Sequence, residues 1–201
     1  MSQPSHGSRY ELSFTTGGLL EREAAVLSPL YVRVHKWETV RRIALDENLL
    51  QARTHSSAVR RVREVLKRLS TLADDEIAVL PELTAKERAH LMWAAACRRY
   101  GLIAAFAEDV LRERFLTLAG TVSYEDYDFF YRSQSAWHDE LINVTGPTYR
   151  KLRQNVFRML KEAEFLSPAG LIEPALLSAR ITEFMNRHQP SDVRFFPTRT
   201  F

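Results

Sequence analysis

The chain has 201 residues, 45 % of them hydrophobic and 26 % charged, with a formal net charge of +3. That length supports one large domain or two small ones, with a core that needs neither disulfides nor a metal. The single cysteine, Cys97, excludes an internal disulfide, and no Cys/His zinc spacing accompanies it.

MSQPSHGSRY is short and polar and has no signal-peptide pattern, so residues 1–12 are expected to be a flexible N-terminus in a cytoplasmic protein. After the Gly17-Gly18 turn, Leu19, Leu20, Ala24 and Leu27 recur at helical spacing, and Pro29 is expected to end or kink that helix. Val34, Trp37, Val40 and Ala44 share a face of the next helix, with Asn48 as its stop. A third helix is expected from about Ser57 to Leu72, with Val59, Val62, Leu66 and Leu69 as its apolar stripe. DDEIAVLPEL reads as a connector.

Thr84 and Glu87 have capping-box spacing and open a helical run to about Leu118, with an interruption at Arg98–Gly101. The most apolar stretch, residues 89–110, is split by Arg98 and Arg99, so no segment approaches the ~20 apolar residues that span a bilayer. Ser123 is a candidate cap for the aromatic-rich helix YEDYDFFYRSQSAW, and a short helix follows near His138–Asn143. The next helix is expected over 148–165, capped by Thr148, and a last one near 175–187. In the tail 188–201, Val193, Phe195 and Phe196 could supply an edge strand. Trp37, Trp93 and Trp137 are all expected to anchor the core.

These elements describe an all-α protein: a compact multi-helix bundle with room for a small C-terminal helix-turn-helix or winged subdomain. The expected organisation is a flexible 1–12, a helical bundle over 13–143, a C-terminal helical subdomain over 144–187 and the tail 188–201.

Charge is unevenly spread. Residues 51–72 carry six Arg or Lys against one Glu, 73–140 carry thirteen acids against seven bases, and 141–201 carry nine bases against five acids. This pattern fits either a basic face for a polyanion or attraction between parts of one fold. Two helices concentrate the positive charge. On the later one, Tyr149, Leu152, Val156, Leu160 and Ala163 form the core stripe, while Arg150, Lys151, Arg153, Gln154, Arg158 and Lys161 lie on the remaining arc with no acid before Glu162. Arg150 is expected in the first turn, where the helix dipole disfavours a cation. Around the earlier helix stand Arg53, His55, Arg60, Arg61, Arg63, Lys67 and Arg68. Phosphate contact accounts for an acid-free arc better than solvation does, because solvated helices usually mix signs. The nucleic-acid candidates are therefore Arg53, Arg60, Arg61, Arg63, Lys67, Arg150, Lys151, Arg153, Gln154, Arg158 and Lys161.

No catalytic centre is legible. His138-Asp139-Glu140 points to different sides of a helix, and Glu125, Asp126 and Asp128 read as a solvated acidic side. Phosphate-loop and dinucleotide patterns are absent, and the expectation is a non-enzyme with no metal or cofactor.

Several strings together resemble one family. YELSFTTGGLLERE, ENLLQAR at 47–53, ACRRYGLIAAFAEDVLRERF at 96–115, YEDYDFF, HDEL at 138–141 and TYRKLRQNVFRMLKEAEFL are similar to BrxA, an accessory protein of BREX bacteriophage-exclusion systems, over nearly the whole chain from Tyr10 to beyond Ile181. The resemblance implies a NusB-like helical fold and a non-enzymatic, double-stranded-DNA-binding component. It also implies a locus shared with a methyltransferase, a phosphatase-like protein and ATPases as prospective partners. An adaptor that docks those partners, or an RNA binder in the NusB manner, remains the alternative reading.

Overall fold

A computed structural model describes residues 9–199. Helix α1 (Glu21–Val34) is followed by α2 (Trp37–Asp46), α3 (His55–Leu69), α4 (Asp74–Val79) and the long α5 (Ala85–Arg99). Then come α6 (Gly101–Phe106), a π-helical stretch (Ala107–Arg112), α7 (Glu113–Leu116), α8 (Tyr124–Ser135) and α9 (Asp139–Ile142). Helices α10 (Gly146–Glu162) and α11 (Ala179–Asn186) and a 3-10 turn (Asp192–Phe195) complete the chain. The fold is all-α, and among the described residues β-structure is limited to two isolated antiparallel bridges, Thr121–Leu171 and Leu166–Ile172.

Helix α5 is the axis of the bundle. Ala89 to Cys97 are all buried, because the small residues of AHLMWAAAC let neighbours approach on every side. Contacts to α1, α3, α6, α11 and the final 3-10 turn surround it. The expected capping box is present: Thr84 Oγ1 accepts from the Glu87 amide at 3.2 Å and the Glu87 carboxylate accepts from the Thr84 amide at 3.0 Å. Its end falls where the sequence placed it, as Tyr100 turns extended and Gly101 starts α6. Cys97 is buried, and burial pushes its thiol pKa up.

Several expectations are corrected. Pro29 does not end α1; it stands at an exposed position within a continuous helix, where the carbonyl left without an amide can face water. DDEIAVLPEL is not a plain connector but contains α4, whose Glu76 accepts from the Ala73 amide at 2.8 Å. Helix α3 starts earlier than Ser57, because Thr54 is the cap and accepts from the Ser57 amide at 3.2 Å. Helix α10 starts at Gly146 after the cap Thr145, not at Thr148, since Pro147 suits a first turn with no amide to satisfy. Arg150 therefore lies beyond the first turn, and the dipole argument against it lapses.

Of the tryptophans, Trp93 is buried and donates its indole N–H to the Phe195 carbonyl at 2.8 Å, and Trp37 is half-buried and stacks on Tyr31. Trp137 is exposed rather than core. Val193, Phe195 and Phe196 form no edge strand; all three are buried in or beside the 3-10 turn. Arg98 explains their position: it donates to Asp192 at 2.7 Å and to Glu76 at 2.8 and 3.0 Å, tying this turn to α4 and α5.

The expected flexible N-terminus falls partly on residues 1–8, which lie outside the described residues. From Tyr10 onward the chain forms a strap. The Tyr10 hydroxyl donates to Gln134 at 2.9 Å, Glu11 pairs with Lys67 of α3 and Arg99 of α5, and the Phe14 carbonyl accepts from Asn155 of α10 at 2.9 Å. Gly17 takes the left-handed φ of 71° in the turn that follows. Gly18 then passes so close to α10 that a Cβ there would sit 1.9 Å from the Glu162 carboxylate, which accepts from the Leu19 amide at 2.6 Å.

Candidate nucleic-acid interface

The core stripe of α10 is as the sequence implied. Leu152, Val156, Leu160 and Ala163 are buried and Tyr149 is half-buried, with Asn155, Phe157 and Met159 widening the buried side. Helix α8 lies antiparallel against it: Tyr124 meets Phe157 with ring centroids 4.7 Å apart, and Tyr131 meets Tyr149 at 4.7 Å. Phe157 thus packs against the start of α8.

The basic arc divides into paired and unpaired cations. Arg153 donates to both oxygens of Asp128 at 2.6 and 2.7 Å, and its guanidinium stands 4.4 Å from the centroid of the Tyr124 ring. Burial opposes charge on Asp128, but the Tyr149 hydroxyl and Arg153 outweigh it and hold the carboxyl below its usual pKa. Asp128 is accordingly a structural anion rather than part of a solvated acidic side. The same holds for Asp126, which accepts from the Ser123 amide at 2.8 Å and pairs with Arg114 at 2.9 Å. Arg158 pairs with Glu162 at 2.7 Å, yet stays mostly exposed. Lys151 donates to Gln154 at 3.2 Å. Arg150, Lys151 and Lys161 are exposed and form no ion pair among the described residues.

Around α3 more of the charge is consumed. Arg68, one of the cations that stand around the earlier basic helix in the sequence, is fully buried. It pairs with Glu64 at 2.8 Å and donates to the Gly18 and Leu19 carbonyls at 2.7 and 3.1 Å, while the Tyr100 hydroxyl donates to the same Glu64. A helix ringed by α1, α2 and α5 has little solvent face, so one of its cations must be satisfied inside. Lys67 is tied to Glu11, and Arg61 lies 3.7 Å from Glu23. Arg53, Arg60 and Arg63 are exposed and form no ion pair among the described residues.

The start of α1 stands between the two basic helices. Glu23 faces Arg61 of α3, and Gly18 and Leu20 to Glu23 share with Arg158 and Glu162 of α10 a cleft of about 280 Å³. Carboxylates therefore interrupt the positive surface at this end.

The enzyme-like cluster has a packing role. His138 stacks on Tyr10 at 3.9 Å and lies 3.3 Å from Glu140, which accepts from the Tyr10 amide. Among the described residues no group of three His, Cys, Asp or Glu side chains could hold a metal ion, and no helix is long and apolar enough to cross a membrane.

Sequence reading missed Tyr124. In the sequence it is one aromatic among several in YEDYDFFY, and its place directly after the cap Ser123, at the start of a helix with one side in solvent, is what sets it apart. Glu11 and Asp128 were also missed as charge partners, because each lies far along the chain from its cation.

Residues 8–189 match the family model of BrxA. The chain belongs to the BrxA family. Two BrxA relatives bear the description BREX protein BrxA. The one from Escherichia coli O9:H4 (strain HS) is 23 % identical over 150 residues, covering 75 % of this chain and 70 % of its own. The one from Bacillus cereus (strain H3081.97) is 24 % identical over 157 residues, covering 78 % of each. The chain also shares its fold with a crystal structure of an uncharacterized protein from Magnetospirillum magneticum. That match has a TM-score of 0.78 and 18 % identity, over 96 % of this chain and all of the other.

Proposed function

We propose that this BrxA-family protein is a non-enzymatic, cytoplasmic accessory of a BREX phage-exclusion system that binds duplex DNA mainly through phosphate contacts. The observation that carries the reading is the outward side of α10, where Arg150, Lys151 and Lys161 stay exposed with no carboxylate partner among the described residues, on a helix whose other side is fixed in the core. Arg53, Arg60 and Arg63 extend the set on a second element. Arg153 leaves it, since its charge is paired with Asp128. Contacts of this type position a protein on a duplex without reading its sequence, so binding is salt-dependent and weakly selective.

The test is titration of duplex DNA at several salt concentrations, with single-stranded RNA as competitor. Affinity that falls linearly with log salt and resists the RNA supports the proposal. Affinity indifferent to salt sinks it, and preference for the RNA points to the NusB-like alternative.

A second reading, an adaptor docking other BREX proteins such as the methyltransferase or the phosphatase-like component, is favoured by one observation. Phe129, Trp137 and Ile142, on or next to α8 and α9, are 70 %, 68 % and 65 % exposed. Co-purification with a BREX component that survives nuclease treatment distinguishes this role.

A further inference from the structure

Between α8 and the outward side of α10 lies a groove of about 400 Å³ lined by Tyr124, Gln154, Phe157, Arg158, Lys161 and Glu162. Its size falls within the range of roughly 300–1,000 Å³ typical of small-ligand sites. Its chemistry differs from that of the basic surface around it. Tyr124 is 44 % exposed, and its ring is held by the Arg153 guanidinium at 4.4 Å and by Phe157 at 4.7 Å. Both supports are themselves fixed, Arg153 by Asp128 and Phe157 by burial, so the exposed aromatic surface is rigid. Gln154, Phe157 and Lys161 follow one another at i, i+3 and i+7 and so form one row along α10. The one acid in the groove, Glu162, already accepts from the Leu19 amide at 2.6 Å and from Arg158 at 2.7 Å.

We propose that this groove receives a single unpaired nucleotide. An aromatic ring, an exposed amide whose N–H donors stand beside an oxygen that accepts from Lys151 at 3.2 Å, and an ammonium with no ion pair among the described residues match the three parts of a nucleotide. Tyr124 stacks on the base, Gln154 bonds its polar edge, and Lys161 meets the adjoining phosphate. Bases inside a duplex keep their faces covered by their neighbours, so only an unpaired or extruded base can use the site. The groove then lets a protein bound to duplex phosphates favour DNA that is locally opened. This inference rests on the DNA-binding reading above and adds to it a preference which that reading does not contain.

The test compares two duplexes of equal length and flanking sequence, one fully paired and one with a single bulged 2-aminopurine. Affinity for each is measured by fluorescence anisotropy at one salt concentration. The native protein is expected to bind the bulged duplex about tenfold more tightly, in keeping with the contribution of one base–aromatic stack. The 2-aminopurine emission should change on binding. Tyr124→Leu is expected to bring the ratio to about one, and Tyr124→Phe to preserve it. Equal affinity of the native protein for both duplexes overturns this inference alone, as does an undiminished preference in a folded Tyr124→Leu protein. No binding to either duplex at low salt overturns the DNA-binding reading, and this inference with it. The ratio for the native protein decides the matter even if the leucine variant does not fold.

Discussion

Helices α3 and α10 each carry five cations, Arg60, Arg61, Arg63, Lys67 and Arg68 on the first and Arg150, Lys151, Arg153, Arg158 and Lys161 on the second. In α3 they are spread around a helix enclosed by α1, α2 and α5. One is buried against Glu64, one is bound to Glu11 of the strap and one faces Glu23. In α10 the core stripe confines them to one arc, and among the described residues only Asp128 and Glu162 reach it, pairing with Arg153 and Arg158. A run of positive charge in a sequence thus becomes a positive surface only where the fold brings no acid to it.

The contrast between the two helices breaks first at Arg68. Arg68→Ala is expected to cost about 3–5 kcal/mol in urea denaturation, because it strands the buried Glu64 charge. A loss under about 1 kcal/mol would show that the Arg68–Glu64 pair does not hold the fold together.

A second stability test uses His90, buried on α5 with its ring centroid 5.4 Å from that of Phe165 and 5.9 Å from that of Phe196. Burial, helped by Lys86 and opposed by Glu164 and Glu87, lowers its pKa from 6.5 to about 4. Above pH 6.5 the group is neutral in both states and has no effect. As pH falls below 6.5 the unfolded chain takes up a proton that the folded chain refuses. Stability should therefore drop by about 3 kcal/mol between pH 6.5 and 4 and then level off for this group. The carboxyls with lowered pKa, Glu11 and Asp128 among them, lose their contribution as pH falls below their ordinary range of about 4 to 4.5, so the upper part of the His90 window lies clear of them. His90→Phe should flatten the upper window in melts recorded against pH; a slope unchanged by the substitution would assign it to another group.

The DNA-binding contrast follows. Reversing Arg150, Lys151 and Lys161 to Glu should weaken duplex binding more than tenfold and flatten the salt slope by about 0.9 for each phosphate no longer neutralised. Arg60→Glu with Arg63→Glu should act in the same direction but more weakly, having fewer free cations to remove. If the α3 pair matters more than the α10 triple, the assignment of the principal face is reversed.

The smallest effect is expected at Arg153. Arg153→Ala should leave the salt slope unchanged and cost about 1 kcal/mol or less, since its pair with Asp128 is partly exposed. A lowered slope would show that Arg153 contacts phosphate despite that pair.

Much of the fold was legible because helical periodicity, capping and breakers act within a few residues. Thr84 and Glu87, the break at Tyr100, the left-handed Asn48 and the core stripe of α10 are all local events. Pro29 and Thr148 misled because a proline is tolerated on a solvent-facing turn and favoured in a first one. The tail was misread because three apolar residues near prolines look the same in an edge strand and in a buried 3-10 turn; only the Arg98 pairs with Glu76 and Asp192 distinguish them.

The sequence by itself determined an all-α chain of the BrxA family, with two helices rich in cations and one charge-free stripe on each to bury. Tertiary structure decided which cations remain available, because Glu11, Glu23 and Asp128 reach their partners from distant parts of the chain. It also decided that Tyr124 lines a groove instead of filling the core, since α8 and α10 meet only when the bundle closes. Periodicity is a property of neighbours along the chain, whereas charge neutralisation and groove formation depend on neighbours in space.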